Sequence, residues 1–247
     1  MAKSYNSELK YFIKRFISDG WRYRKRIGYG RFISDIFYEL LFKIKNPKFK
    51  YLIKINAEDL DDIPQENVNH SGQCESNSSN ALRGVFHHLK DFVHPNKTTF
   101  IDIGSGVGRV LLEAKNNNFK KVVGLEQSET LVEIAKKNLF MSDHIQKNDN
   151  LLCLIADVTD CNFTTLISNS EDIILLFLAN PFDDKVLAAF LKNYLKQIKN
   201  KTYIAYTYKQ YPELLKTFGF KIIFEKRIKN KFTLESYRIY SNANEEK

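Results

Sequence analysis

Three glycines and three acids in the middle of the chain could do chemistry together. In "TFIDIGSGVGR", Thr99 to Arg109, an apolar run carrying Asp102 ends in Gly104, Gly106 and Gly108 at alternate positions. Glycine tolerates positive φ and lets backbone N–H groups approach a ligand closely. The run "KVVGLEQS" ends in Glu126, 22 residues after Gly104, with Gln127 beside it. A carboxylate at a strand tip can accept hydrogen bonds from both hydroxyls of a ribose. "LIADVTD" sets Asp157 and Val158 at the next strand tip, where a carboxylate can take an exocyclic amine such as that of adenine. Singly, each acid is more often a solvated loop residue or a helix N-cap. In register at successive strand tips, they describe the outline of an adenosine-containing ligand.

The loop says more about that ligand. A nicotinamide dinucleotide rests its pyrophosphate on a G-x-G-x-x-G turn, and here the sixth position is Arg109. Asp102, two residues ahead of the loop, suits an ammonium and a sulfonium better than a pyrophosphate. A nicotinamide-linked oxidoreductase or epimerase is the alternative reading. It lacks support from any Tyr-x-x-x-Lys pair around Tyr206, Tyr208 and Lys209. An RNA-binding protein with a non-catalytic cofactor site is a second alternative, and intact Glu126, Asp157 and Asn180 weigh against it.

A fourth tip follows "DIILLFLANPFDD", where Asn180, Pro181 and Phe182 leave the strand. One reading is an ordinary exit, with Pro181 stopping the ladder and Asp183 or Asp184 capping the next helix. The other is catalytic. A sulfonium ligand would offer a carbon to in-line displacement, a reaction that mainly needs positioning. Asn180 could accept a proton of an amine through its side-chain oxygen, and Phe182 could face the developing cation.

These residues require a frame of alternating strands and helices. Short β-branched or aromatic runs predict strands near 99–103, 121–125, 151–156, 172–178, 202–207, 219–226 and 232–240. Apolar periodicity predicts helices near 108–117, 128–140, 183–198 and 210–218. The alternation predicts an α/β fold, with a doubly wound, mostly parallel sheet. The last two strands have no helix between them, so an antiparallel hairpin should end the sheet.

Ahead of this domain, expected over 81–247, lie a basic helical extension over 1–55 and an acidic, Asn/Ser-rich connector over 56–80. Residues 1–54 hold 14 Lys or Arg against four Asp or Glu, a net of +10, while the rest nets −1. In one helix Leu9, Phe12, Ile13, Phe16 and Ile17 share a face, and in a second Phe32, Ile33, Ile36, Phe37, Leu40 and Leu41 do. The preferred reading packs these stripes on the main domain and turns the basic side to water. An anionic partner at the basic segment, or a helix lying in a membrane surface, stays open.

Composition is that of a globular protein, 43% hydrophobic and 27% charged. No run of about 18 apolar residues predicts a transmembrane helix, and the N-terminus lacks the apolar core of a signal peptide. Cys74, Cys153 and Cys161 form no CxxC, so neither a disulfide framework nor a metal site is expected. A monomer in the reducing cytoplasm is the expectation.

Taken together, "FIDIGSGVGR", "VVGLEQS" and "IADVTD" resemble the cofactor half of the class I S-adenosylmethionine-dependent methyltransferases, over roughly residues 80–240. The resemblance implies a Rossmann-like sheet of seven strands ending in a reversed hairpin. It implies that Asp102 and the loop Gly104, Ser105, Gly106, Gly108 hold the methionine portion. It further implies Glu126, with Gln127, at the ribose, and Asp157 with the Val158 backbone at the adenine. "DIGSGVGR" is similar to lysine methyltransferases of this seven-strand type. "NPF" resembles the Asn/Asp-Pro-Pro-Tyr/Phe motif of amino-group methyltransferases, less one proline. The implied activity is methyl transfer to nitrogen, on protein lysine or another amine. The acceptor stays open between protein lysine, nucleic acid and small molecule.

Overall fold

The computed structural model describes residues 29–49, 62, 79–140, 150–167, 169, 172–179, 182–207, 210–226 and 237–242. The chain divides into two compact units, residues 1–45 and 46–247.

In the larger unit, helix α2 (Ser79–Leu89) precedes β1 (Thr98–Ile103), α3 (Arg109–Asn116), β2 (Lys121–Glu126), α4 (Glu129–Phe140) and β3 (Leu151–Ile155). The chain continues through β4 (Ile173–Leu178), α5 (Asp184–Gln197), β5 (Thr202–Thr207), α6 (Pro212–Thr217), β6 (Lys221–Lys226) and β7 (Tyr237–Ser241). The seven strands form one sheet in the order β3-β2-β1-β4-β5-β7-β6. β1 pairs in parallel with β2 on one side and β4 on the other. Only β7 runs against its neighbours, so the expected terminal hairpin is present. Predicted and observed strands agree to within a few residues. The predicted start of β6 at Gly219 gives way to Lys221, because Gly219 takes φ +86° as the chain leaves α6. The stretch 232–236 and the first predicted helix lie outside the described residues.

Every residue of β1 is buried, as a strand covered on both faces requires. Its alternate residues face two different cores. Ile101 and Ile103 join Val123, Leu125, Ile174, Leu176, Phe163, Phe190 and Tyr194 in one apolar cluster. Phe100 faces the other way, its ring 5.6 Å from Phe86, 5.0 Å from Phe119 and 6.0 Å from Phe177. Asp102 shares the face of Phe100, by the two-residue period of a strand.

The strand order reverses at β1. From it the chain winds outward through β2 to β3, then returns to β4 on the opposite side. Loops leaving the carboxyl ends of β1 and β4 therefore diverge, and a crevice opens between them. The helix after β4 is capped as its sequence suggests, Asp183 Oδ1 accepting from the Val186 N–H at 2.9 Å. The polar segment after Asp157 contains a short 3-10 turn, Phe163–Leu166, begun by Asn162.

The described part of the smaller unit is helix α1, Tyr29–Lys45. Ile33, Phe37 and Leu40, from the stripe expected to be covered, are exposed, and so is Ile44. Asp35, Glu39 and Phe42 are buried instead. Periodicity identified residues that share a face but not which face is covered. Among the described residues no helix is long and apolar enough to cross a membrane. The connector 56–80 lies outside the described residues apart from Asp62, Ser79 and Asn80.

Candidate functional site

The glycine loop is built by backbone, and its three glycines are each required. Gly104, Gly106 and Gly108 all take positive φ, at +76°, +51° and +83°. A residue with a side chain would be strained at every one of them. The loop leaves β1 and folds at once against β2: the N–H groups of Gly104 and Ser105 both donate to the Leu125 carbonyl, at 2.9 and 3.1 Å. Gly108 N–H then donates to the Ser105 carbonyl at 3.0 Å, and α3 starts at the next residue.

This tight seat depends on a fourth glycine that sequence reasoning did not single out. Gly124 lies in mid-strand, in register between Asp102 and Cys153. A Cβ on it would stand 2.5 Å from Leu111 Cδ1 and 2.7 Å from Ser105 Oγ. The available signal was a glycine inside an apolar strand run, which marks a close approach of another segment.

The acids converge on this loop. Asp102 is 2% exposed, and its Oδ2 is buried with no hydrogen-bond partner. Burial first, and then the charge of Glu126, push its carboxyl well above the usual carboxylate range. Glu126, at the tip of β2, accepts three backbone N–H groups. Oε2 takes Gly106 at 2.9 Å, and Oε1 takes Gln127 at 2.9 Å and Ser128 at 3.1 Å. Burial raises its pKa, the N–H donors from Ser128, Gly106 and Gln127 pull it back, and the charge of Asp62 adds to the rise. A carboxylate offers about four acceptor positions, so one remains for a further donor.

Asp62 is the second residue that the sequence did not flag. It accepts from Ser128 Oγ at 3.0 Å and from the Thr130 N–H at 2.6 Å. Ser128 Oγ in turn accepts from Leu131 N–H at 3.2 Å, so the start of α4 is held by a capping serine and two carboxylates. Burial works against the Asp62 charge, but the Thr130 and Ser128 donors outweigh it and lower its pKa. Its partners are 66 and 68 residues away, which no local pattern displays.

At the third tip, Asp157 Oδ1 accepts from the Thr159 N–H at 2.9 Å and hydroxyl at 2.7 Å, turning the chain. Val158 is buried in the apolar cluster. Arg109, which the sequence used to set a dinucleotide aside, is itself buried and donates to Ser79 Oγ at 2.5 Å, joining α3 to the start of α2. At the fourth tip, Phe182 is half-buried against the apolar cluster, its ring 6.3 Å from that of Phe190. Asn180 and Pro181 lie outside the described residues. Asp102, the glycine loop and Glu126 are thus brought together, and Asp157 stands one strand further along the same sheet edge. A buried Asp102 and a half-buried Glu126, both pushed toward neutrality, regain their charge most readily beside a cation.

Among solved structures, the chain is similar to a putative methylase from Haemophilus influenzae, with 20% identity, 66% of this chain and 99% of that one covered, and a TM-score of 0.49. It is also similar to magnesium protoporphyrin IX methyltransferase from Synechocystis, solved with bound S-adenosylmethionine. There the identity is 14%, the coverage 66% and 77%, and the TM-score 0.47. No curated protein matches the sequence. The family described as histone methylation protein DOT1 matches residues 80–210, which span the glycine loop and all four strand tips. By that match over more than half its length, the chain belongs to the DOT1 family and is a class I S-adenosylmethionine-dependent methyltransferase.

Proposed function

We propose that the chain transfers the methyl group of S-adenosylmethionine to an amine nitrogen, with a protein lysine as the leading acceptor. The observation that carries the cofactor half is the Asp102 carboxyl, fully buried with Oδ2 unpartnered beside a loop of positive-φ glycines. An uncharged ligand would leave that carboxyl with a burial penalty, whereas an ammonium or sulfonium offsets it. In this reading Asp102 and the loop of Gly104, Ser105, Gly106 and Gly108 hold the methionine portion. Glu126 keeps its open acceptor position for a ribose hydroxyl, with Gln127 alongside. Asp157 and the Val158 backbone meet the adenine.

When bound, the cofactor supplies an electrophilic methyl on a positively charged sulfur. The protein's part is to hold that carbon in line with a neutral amine and to exclude water. A lysine amine, with a free pKa near ~10.4, must lose a proton before it attacks. Asn180 would accept a hydrogen bond from the amine, and Phe182, steadied by its packing on Phe190, would present its ring to the methylated cation. Pro181, between them in sequence, would restrict the backbone through its ring. The protein acceptor is supported by the family's description as a histone methylation protein and by the similarity of "DIGSGVGR" to lysine methyltransferases. The free thiols Cys153 and Cys161 fit the reducing cytoplasm.

The test is transfer of a labelled methyl group from S-adenosylmethionine into fractionated cell extract. Acid-stable label in protein, recovered as methyl-lysine after hydrolysis, is the expected result. Label confined to RNA or to small molecules would overturn the lysine reading and leave the cofactor assignment standing.

A further inference from the structure

Helix α1 carries an exposed apolar surface. Ile33, Phe37, Leu40 and Ile44 are exposed at 63%, 54%, 48% and 74%. Their spacing of four, three and four residues stacks them into one ridge along the helix. Ile36 and Leu41 flank the ridge half-buried, while Asp35 and Glu39 are buried away from it. An apolar ridge left in water while two acids are buried is the reverse of an ordinary surface helix. The charge of the segment points the same way: residues 1–54 carry a net of +10, and the ridge ends at Lys43 and Lys45 in the last turn.

We propose that α1 docks the protein on an anionic lipid bilayer, with the ridge inserted among the acyl chains at the interface and Lys43 and Lys45 at the headgroups. Four large apolar side chains on one face, acids turned away and an excess of basic charge are the three requirements of an interfacial helix. Other occupants satisfy fewer of them. A second copy would set one segment of net +10 against another, so pairing through the ridge would bring like charges together. A nucleic acid would answer the charge but leave Ile33, Leu40 and Ile44 with nothing to bury against, since only aromatic and cationic groups stack on bases.

The experiment is sedimentation of the full chain with vesicles of phosphatidylcholine alone and of phosphatidylcholine with phosphatidylserine. The wild-type protein is expected to pellet with the anionic vesicles and to be released by raised salt. The double variant Ile33→Ser/Phe37→Ser should bind at least about ten-fold more weakly, because two large apolar groups no longer leave water. Lys43→Glu/Lys45→Glu should lose the preference for phosphatidylserine. Thermal stabilisation by S-adenosylmethionine, retained in both variants, shows that they are folded and separates failure of this proposal from failure of the cofactor reading. Absence of wild-type binding to anionic vesicles would overturn the proposal. So would unchanged binding of the Ile33/Phe37 variant, or a ridge-dependent dimer or duplex-DNA complex without vesicle binding.

Discussion

The backbone N–H of Gly106 donates to Glu126 Oε2 at 2.9 Å, tying the glycine loop to the tip of the neighbouring strand across 20 residues. The other oxygen of the same carboxylate holds the N–H groups that open α4. One side chain therefore sets both the shape of the loop and the start of the next helix. Glu126→Ala should leave three buried or half-buried N–H groups without their acceptor, at a cost of about 1–3 kcal/mol. Urea denaturation should register that loss, and calorimetry should show S-adenosylmethionine affinity lowered about ten-fold or more. Glu126→Gln should recover much of the stability and less of the affinity, because one acceptor oxygen is replaced by a donor.

Asp102 is predicted to oppose folding where it supports binding. Its pKa is raised in the folded chain, by burial first and by Glu126 second. The folded state thus favours the protonated acid. The resulting stability is present in full below the ordinary carboxylate pKa near ~3.9 and is lost as pH rises through the raised value. Asp102→Asn should melt higher than wild type at neutral and alkaline pH and lose that advantage in acid. Its S-adenosylmethionine affinity should fall by about ten-fold to a hundred-fold, the worth of a hydrogen bond to a charged group. A thermal melt series over pH, run beside calorimetry, checks both signs.

Gly124→Ala places a Cβ against Leu111 Cδ1 and the Ser105 side chain, at 2.5 and 2.7 Å. Overpacking of this kind costs about 1–3 kcal/mol. Because Ser105 belongs to the loop, cofactor affinity should fall along with stability. Gly219→Ala makes a useful contrast: nothing lies within 4 Å of its added Cβ, though φ is +86°. It should cost stability through backbone strain and leave cofactor affinity unchanged.

Asp62→Asn should remove about 0.3–1 kcal/mol at neutral pH through loss of a negative charge at the start of α4, an effect that solvent screening keeps small. The Asp62 pKa is lowered in the folded chain, its donors from Thr130 and Ser128 outweighing burial. Its contribution is therefore present above the unfolded value, near ~3.9, and disappears as pH falls through the folded one. Denaturation midpoints of wild type and variant should converge as pH falls below the lowered folded value.

Asn180→Ala should lower turnover more than it lowers S-adenosylmethionine affinity, since the side chain is assigned to the acceptor amine. Single-turnover rates and calorimetry on the same preparation separate the two. An equal loss in both would reassign Asn180 to the cofactor.

The sheet was legible in the sequence because its central strands are continuous apolar runs, whose ends mark strand tips without knowledge of partners. That is why Asp102, Glu126 and Asp157 could be placed in order before any contact was known. What each carboxylate accepts was not legible. The Gly106 bond to Glu126 and the Asp62 bonds to Ser128 and Thr130 span 20 to 68 residues. Such partners follow from how loops settle on the folded sheet. Arg109 shows the same limit: its place after the third glycine suggested what the loop does not bind, while its own role is a buried bond to Ser79. On α1, spacing showed that Ile33, Phe37 and Leu40 lie together, but burial of Asp35 and Glu39 instead of them depends on surroundings that periodicity does not encode.

In the proposed function the carboxyls at the strand tips hold a positively charged adenosyl ligand. Isothermal titration of the full chain with S-adenosylmethionine, repeated from neutral pH toward pH 5 in buffers of different ionisation heat, tests it most directly. One site per chain, proton release on binding, weaker binding as pH falls and a marked loss in Asp102→Asn are the expected results. Heat from NADH with none from S-adenosylmethionine, or equal affinity in wild type and Asp102→Asn across that range, would contradict it.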